Sequence, residues 1–196
     1  MINKLKHHKP CAVILKYFLS TLFFISFTVT ATANQYQEIA ALIEQRLSYM
    51  KYVAKYKFEK HLSVEDRTQE NKVILNSINK AEILGLDKKS IKPFIISQIN
   101  AAKAIQYRYK ADWLAMPETI VQHDDLAVIR LKISKLTDDI IQLIAKELKN
   151  NGQIKNQNCS YINKIQLHNL KAADKKIICS SLELISLKNK NTNSKE

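Results

Sequence analysis

Only two glycines and three prolines occur in these 196 residues. Hairpins and α/β crossovers need glycine and proline at their turns, so such scarcity argues against both architectures. What remains is a chain with few interruptions and apolar residues recurring at helical intervals. From Gln37 to about Lys60 these are Ile39, Leu42, Ile43, Leu47, Met50 and Val53. Ser63, with Asp66 as capping partner, is the expected start of a second helix carrying Val73, Ile74, Ile78 and Ala81 and stopping at Gly85. A third helix is expected from about Ser90 to Trp113, with Pro93 in its first turn and Pro117 beyond its end. A fourth runs from Asp125 to about Lys149, with Leu126, Ile129, Ile133, Leu136, Ile140 and Ile144 on one face, and breaks at Asn150-Asn151-Gly152. Two shorter helices follow at about 159–169 and 173–187, and no segment alternates as a strand. The fold class read from the pattern is all-α, a bundle of about six helices. An Asn/Lys-rich tail, 188–196, is expected to be disordered.

The first 33 residues differ from the rest. Lys4, Lys6 and Lys9 form a basic start without acids, an apolar run extends from Tyr17 to Val29, and Ala31-Thr32-Ala33 fits a small-x-small cleavage pattern. Lys16 cuts the apolar run short of the ~20 residues a membrane span needs. The segment therefore reads as a cleavable signal peptide, cut after Ala33, that delivers a periplasmic or secreted protein with no membrane attachment afterwards. Its removal takes away four lysines and no acids, leaving 27 basic against 18 acidic residues, or +9. These basic residues are scattered along helices rather than gathered in a stripe with interleaved aromatics, so a nucleic-acid partner is not expected. Cys11 leaves with the signal, and Cys159 and Cys179 remain as an even pair in a chain bound for an oxidising compartment, which reads as a disulfide. His61, His123 and His168 show no ligand spacing with either cysteine, and no metal site is expected.

The informative residues are polar ones on apolar faces. In the first helix the core-facing positions run 39, 43, 46, 50, 53, 57, which puts Arg46 and Lys57 on the buried side, about 16 Å apart along the axis. A lone cation there is commonly a snorkelling side chain, but two in register are harder to accommodate, because a buried cation needs a partner. Gln98, Ala102 and Gln106 share the apolar face of the third helix, Arg130 falls between Leu126 and Ile133 on the fourth, and Asp66, Gln69 and Glu70 lie inward on the second. Any one of these residues reads first as part of a core salt bridge. Together they describe a polar pocket with more cations than its acids neutralise.

At these residues the chain resembles a known family. The runs LIEQRLSYMKYVAKYKFEKHLSVEDRTQE, ILGLD and QINAAKAIQYRYKADW look like the secreted or periplasmic branch of the all-helical, type II-like chorismate mutases, most strongly over residues 36–115. DLAVIRLKISKL, with the Cys159–Cys179 pair, resembles that branch's C-terminal extension. The resemblance implies core helices over 34–120 and a disulfide-clipped helical extension over 121–187 that completes the site within one chain. It implies rearrangement of chorismate to prephenate with no cofactor. Arg46 and Arg130 would bind the substrate carboxylates, Lys57 and Gln106 would flank the ether oxygen as the catalytic pair, Glu70 would accept a hydrogen bond from the ring hydroxyl, and Asp66 would order that wall. Gln69 stands where the family usually has arginine, and Ala102 where some relatives have a hydroxyl; both are expected to face the substrate. A homodimer rests on the resemblance alone. Gln69 also favours an alternative reading, an exported helical protein of weak or no activity that acts by interaction.

Overall fold

The computed structural model describes residues 30–118, 124–154 and 157–189. Seven helical segments lie in this part: α1 (Thr30–Ser48), α2 (Met50–Glu59), α3 (Arg67–Ile83), α4 (Lys88–Ala115), α5 (Leu126–Asn151), α6 (Gln157–Lys164) and α7 (Ala172–Glu183). Among the described residues no strand forms, and Leu86 and Leu187 make an isolated antiparallel bridge. The apolar run Tyr17 to Val29, expected as part of a signal, and residues 119–123, like 155–156, lie outside the described residues.

The first helix opens at Thr30, seven residues before the expected Gln37, so the cut expected after Ala33 falls in its opening turn. It is also divided. Tyr49 keeps right-handed helical angles (φ −64°, ψ −14°), and its carbonyl accepts from both Tyr52 and Val53 at 3.1 Å. The shared carbonyl marks a tightened turn that leaves the register intact. Ile39, Ile43, Arg46, Met50, Val53 and Lys57 are accordingly all buried, three or four residues apart on one continuous face.

Asp66, not Ser63, caps α3. Its carboxylate accepts from the Gln69 amide at 3.0 Å, while Glu70 reaches back to the Asp66 amide at 3.2 Å. Ser63 instead accepts from the Glu65 amide within the preceding loop. The competition was local, since both residues are good caps and only the loop geometry chooses between them. At the other end Gly85 takes φ +85°, and Leu86 and Gly85 donate back to Ala81 and Glu82 in the pattern of a Schellman turn. Gly152 ends α5 in the same left-handed region, with its amide bonded to Leu148.

α4 is the axis of the bundle, packed against α2, α3 and α7, while α5 lies against α3 and α2. It begins at Asp87, whose carboxylate accepts from Ser90, so Pro93 sits past the first turn rather than inside it. The missing amide deprives the Lys89 carbonyl of its helical donor. Phe94, Ile95, Ile105, Ile129, Ile140, Ile144, Ile178 and Leu182 belong to one apolar cluster with Ile43 and Leu47, so the segments expected as core and extension share a single interior.

The last helices are shorter than the pattern suggested. Arg108 pairs with Asp174 and donates to the Asn169 carbonyl, and Ser181 donates to Ser97, which seats α7 along α4. Cys159 and Cys179 form a disulfide with a Cα–Cα distance of 5.4 Å. Lys188, expected in the disordered tail, donates its amide to the Gly85 carbonyl at 2.9 Å, while residues 190–196 lie outside the described residues. A cross-link over 20 residues restricts the unfolded chain by about 3 kcal/mol. Replacing both cysteines by serine is therefore expected to lower unfolding stability by about that amount in a urea titration, with helix content unchanged by circular dichroism before the transition.

Candidate active site

A cavity of about 820 Å³ opens between α1, α2, α3, α4 and α5. The eight residues that the resemblance places at the substrate all line it, Arg46, Lys57, Asp66, Gln69, Glu70, Ala102, Gln106 and Arg130, while Gln98 lies behind Arg46 and is not part of the lining. Its floor is apolar, with Met50, Val53 and Ile99.

Arg46 enters from α1 and is only 4 % exposed. Its Nε donates to Thr137 Oγ1 at 3.0 Å, and one terminal nitrogen makes longer contacts with the carbonyl and side-chain oxygens of Gln98 at 3.4 and 3.5 Å. These partners are neutral. Guanidinium has five N–H donors, and among the described residues Arg46 makes no ion pair. Burial pulls its pKa down to about 10, which leaves it cationic at neutral pH.

Lys57 is similarly buried, and its ammonium donates to the Val64 carbonyl at 2.6 Å. Burial lowers its pKa; the fields of Asp66 and Glu70 oppose that shift, and those of Arg130 and Lys110 add to it. No carboxylate lies within ion-pair distance of it among the described residues. Two buried cations thus face one cavity without an anion in contact with either, an arrangement that costs stability unless an anion arrives.

Three of the four acids that line the cavity, all but Asp138, are already engaged. Asp66 accepts from Arg130 at 2.8 Å as well as capping α3, and both side chains are about one-third exposed at the cavity mouth. The Gln69 amide, and after it Arg130, holds the Asp66 carboxyl below the usual range. Glu70 pairs with Lys103 at 3.1 Å. Asp125 caps α5 through the Leu126 amide.

Gln106 stands over the floor, buried, its amide nitrogen donating to the Ala102 carbonyl at 3.1 Å and facing Met50 Sδ at 3.6 Å. Thioether sulfur is a weak acceptor, so an N–H on that side can turn to a ligand oxygen at small cost. Among the described residues, Gln106 Oε1 and Gln98 Nε2 are buried without hydrogen-bond partners. Gln69 reaches the cavity from the first turn of α3, and Arg67 is exposed and lines no part of it, as the helical period required. Three participants were not read from the sequence. Thr137 lies two turns after Arg130 on the same stripe, and Lys103 lies three residues before Gln106, so both carried a positional signal. The Val64 carbonyl carried none, because any residue offers a backbone acceptor.

The elements and cavity define an all-helical bundle built around a small cationic chamber. Residues 36–107 match the family described as Chorismate mutase type II. A secreted chorismate mutase from Yersinia pestis is 47% identical over 177 residues, covering 90% of this chain and 94% of that protein. A monofunctional chorismate mutase from Enterobacter agglomerans is 31% identical over 170 residues, covering 86% and 94%. The crystal structure of the secreted Yersinia pestis enzyme superposes with a TM-score of 0.71 at 48% identity, over 77% of this chain and 98% of that one. That of a Burkholderia thailandensis chorismate mutase, at 24% identity and TM-score 0.63 over 76% and 98%, shares the fold. The chain belongs to the type II chorismate mutases.

Because burial disfavours its charged form, the Lys57 ammonium is expected to titrate below a solvent-exposed lysine and to shift back upward when a dianion fills the cavity. Side-chain NMR of Lys57, with and without a small dicarboxylate, checks both directions.

Proposed function

We propose that this chain is an exported chorismate mutase that rearranges chorismate to prephenate inside the cavity. The observation that carries the reading is the pair of buried cations, Arg46 and Lys57, that face one chamber without a carboxylate in contact. Chorismate is a small dianion, and its charge complements theirs.

The rearrangement is unimolecular and needs no nucleophile, metal or cofactor. The protein has to hold the flexible dianion in its compact reactive conformer, which is a task of positioning. Arg46 and Arg130 bind the two carboxylates. For Arg130 this means sharing or leaving the Asp66 carboxylate, an exchange eased by its partial exposure at the mouth. As the C–O bond breaks, negative charge grows on the ether oxygen. The Lys57 ammonium and a Gln106 N–H flank that oxygen and act most strongly at the transition state, since the low-dielectric floor beneath them does not screen the developing charge. Glu70 accepts from the ring hydroxyl, and Ala102 and Gln69 complete the wall. Gln69 contributes an amide and no charge, so Arg46 and Lys57 bear a larger share of the neutralisation.

Export is part of the proposal. The leader is removed after Ala33, the mature protein begins at Asn34 in the periplasm or outside the cell, and two chains associate as a homodimer. The secreted Yersinia pestis relative supports that destination, and no described helix is long and apolar enough to cross a membrane. N-terminal sequencing of protein recovered from the periplasm or medium is expected to read Asn-Gln-Tyr, whereas an intact leader on that fraction contradicts the cleavage.

Purified mature protein is expected to deplete the absorbance of chorismate with saturation kinetics. Lys57→Ala should retain the helix content and lose about 10²- to 10³-fold in kcat/KM, about 3–4 kcal/mol of barrier. Near-normal turnover by that variant removes Lys57 from the mechanism, and an inert wild type favours the interaction protein that Gln69 suggests.

A further inference from the structure

Lys103 lies on α4 beside Ala102, lines the cavity, and reaches across to the start of α3. Its ammonium sits 3.1 Å from Glu70 Oε2 and 3.0 Å from Glu65 Oε2. The other Glu70 oxygen accepts from the Asp66 amide at 3.2 Å. Both oxygens of one carboxylate are thus pinned by donors from different elements, so the group has a fixed plane and a fixed direction for its remaining lone pairs. An isolated exposed ion pair contributes little. Here both side chains are about one-fifth exposed and the lysine bridges two carboxylates, a network rather than a single contact. Two neighbours on the same helix assist: Tyr107 donates to Glu65, and Lys110 donates to the Leu62 carbonyl. The segment they hold includes Val64, whose carbonyl receives Lys57.

We infer that Lys103 is a positioning residue for the substrate's ring hydroxyl, acting through Glu70, whose carboxylate it holds aimed as an acceptor. This rests on the reading above that Glu70 receives that hydroxyl. Lys103 touches no reacting atom. A fixed acceptor serves the ground state and the transition state alike, so its loss belongs in KM rather than kcat.

The test is steady-state kinetics on chorismate for Lys103→Met, Lys103→Arg, Glu70→Gln and the double variant Glu70→Gln/Lys103→Met, with circular dichroism on each. Lys103→Met is expected to raise KM about tenfold with kcat within about threefold of wild type. Lys103→Arg keeps the charge and the reach, and is expected to stay within about threefold in both constants. In the Glu70→Gln background the methionine substitution should change KM by less than about twofold, because the charge pairing through which Lys103 acts is already gone. An unchanged KM for Lys103→Met, a full additional loss in the Glu70→Gln background, or a loss of kcat that arginine does not restore overturns the assignment. Wild-type turnover with any of these results leaves the activity standing and removes Lys103 alone. An inert wild type removes both.

Discussion

Two positive charges are buried against one cavity without anions to meet them, and the rest of the molecule is arranged around that imbalance. Arg46 has a threonine hydroxyl and glutamine oxygens for partners, and Lys57 has a backbone carbonyl. Neutral acceptors satisfy donor geometry but do not neutralise charge, so both groups stay poised for an anion. The nearby carboxylates could have met them. Asp66 and Glu70 are instead held by Arg130 and Lys103.

That division follows from the helices. Caps fix the acids: Asp66 is committed to the α3 amides and Asp125 to α5. The long α4 places Ala102, Lys103 and Gln106 within two turns, so a single element supplies part of the floor, an ion-pair partner and an amide donor. The C-terminal segments act at a distance. α7, seated along α4 by Arg108–Asp174 and closed by the disulfide to α6, buttresses the side of α4 that faces away from the chamber. Prearranged donors on rigid elements need little reorganisation when charge develops, and the catalytic advantage of such a site arises there.

Much of this is legible in the amino-acid sequence. The period at Ile39, Ile43, Arg46, Met50, Val53 and Lys57 survived the interruption at Tyr49, because a tightened turn shifts the path of a helix without rotating its face. Gly85 and Gly152 marked true helix ends, since each takes positive φ. The misreadings have local causes. Ser63 and Asp66 are equally good caps by type, so only the loop decides. Pro93 misled by one turn because the cap at Asp87 starts α4 early. The tether from Lys188 to Gly85 and the Val64 acceptor use backbone atoms, on which residue identity is silent. Thr137 and Lys103 were visible as positions, but their partners lie 91 and 33 residues away in sequence, a separation that no helical period reports.

The most direct measurement of the central imbalance is calorimetric titration of the mature protein with a rigid bicyclic ether dicarboxylate that copies the rearranging ring. It is to be compared with the corresponding monocarboxylate, in wild type and in Arg46→Met. One dicarboxylate per chain is predicted, bound at least about tenfold more tightly than the monocarboxylate, with most of that preference lost in Arg46→Met. Equal affinity for the two compounds, or a preference untouched by the substitution, would contradict the claim that the chamber is built for two negative charges.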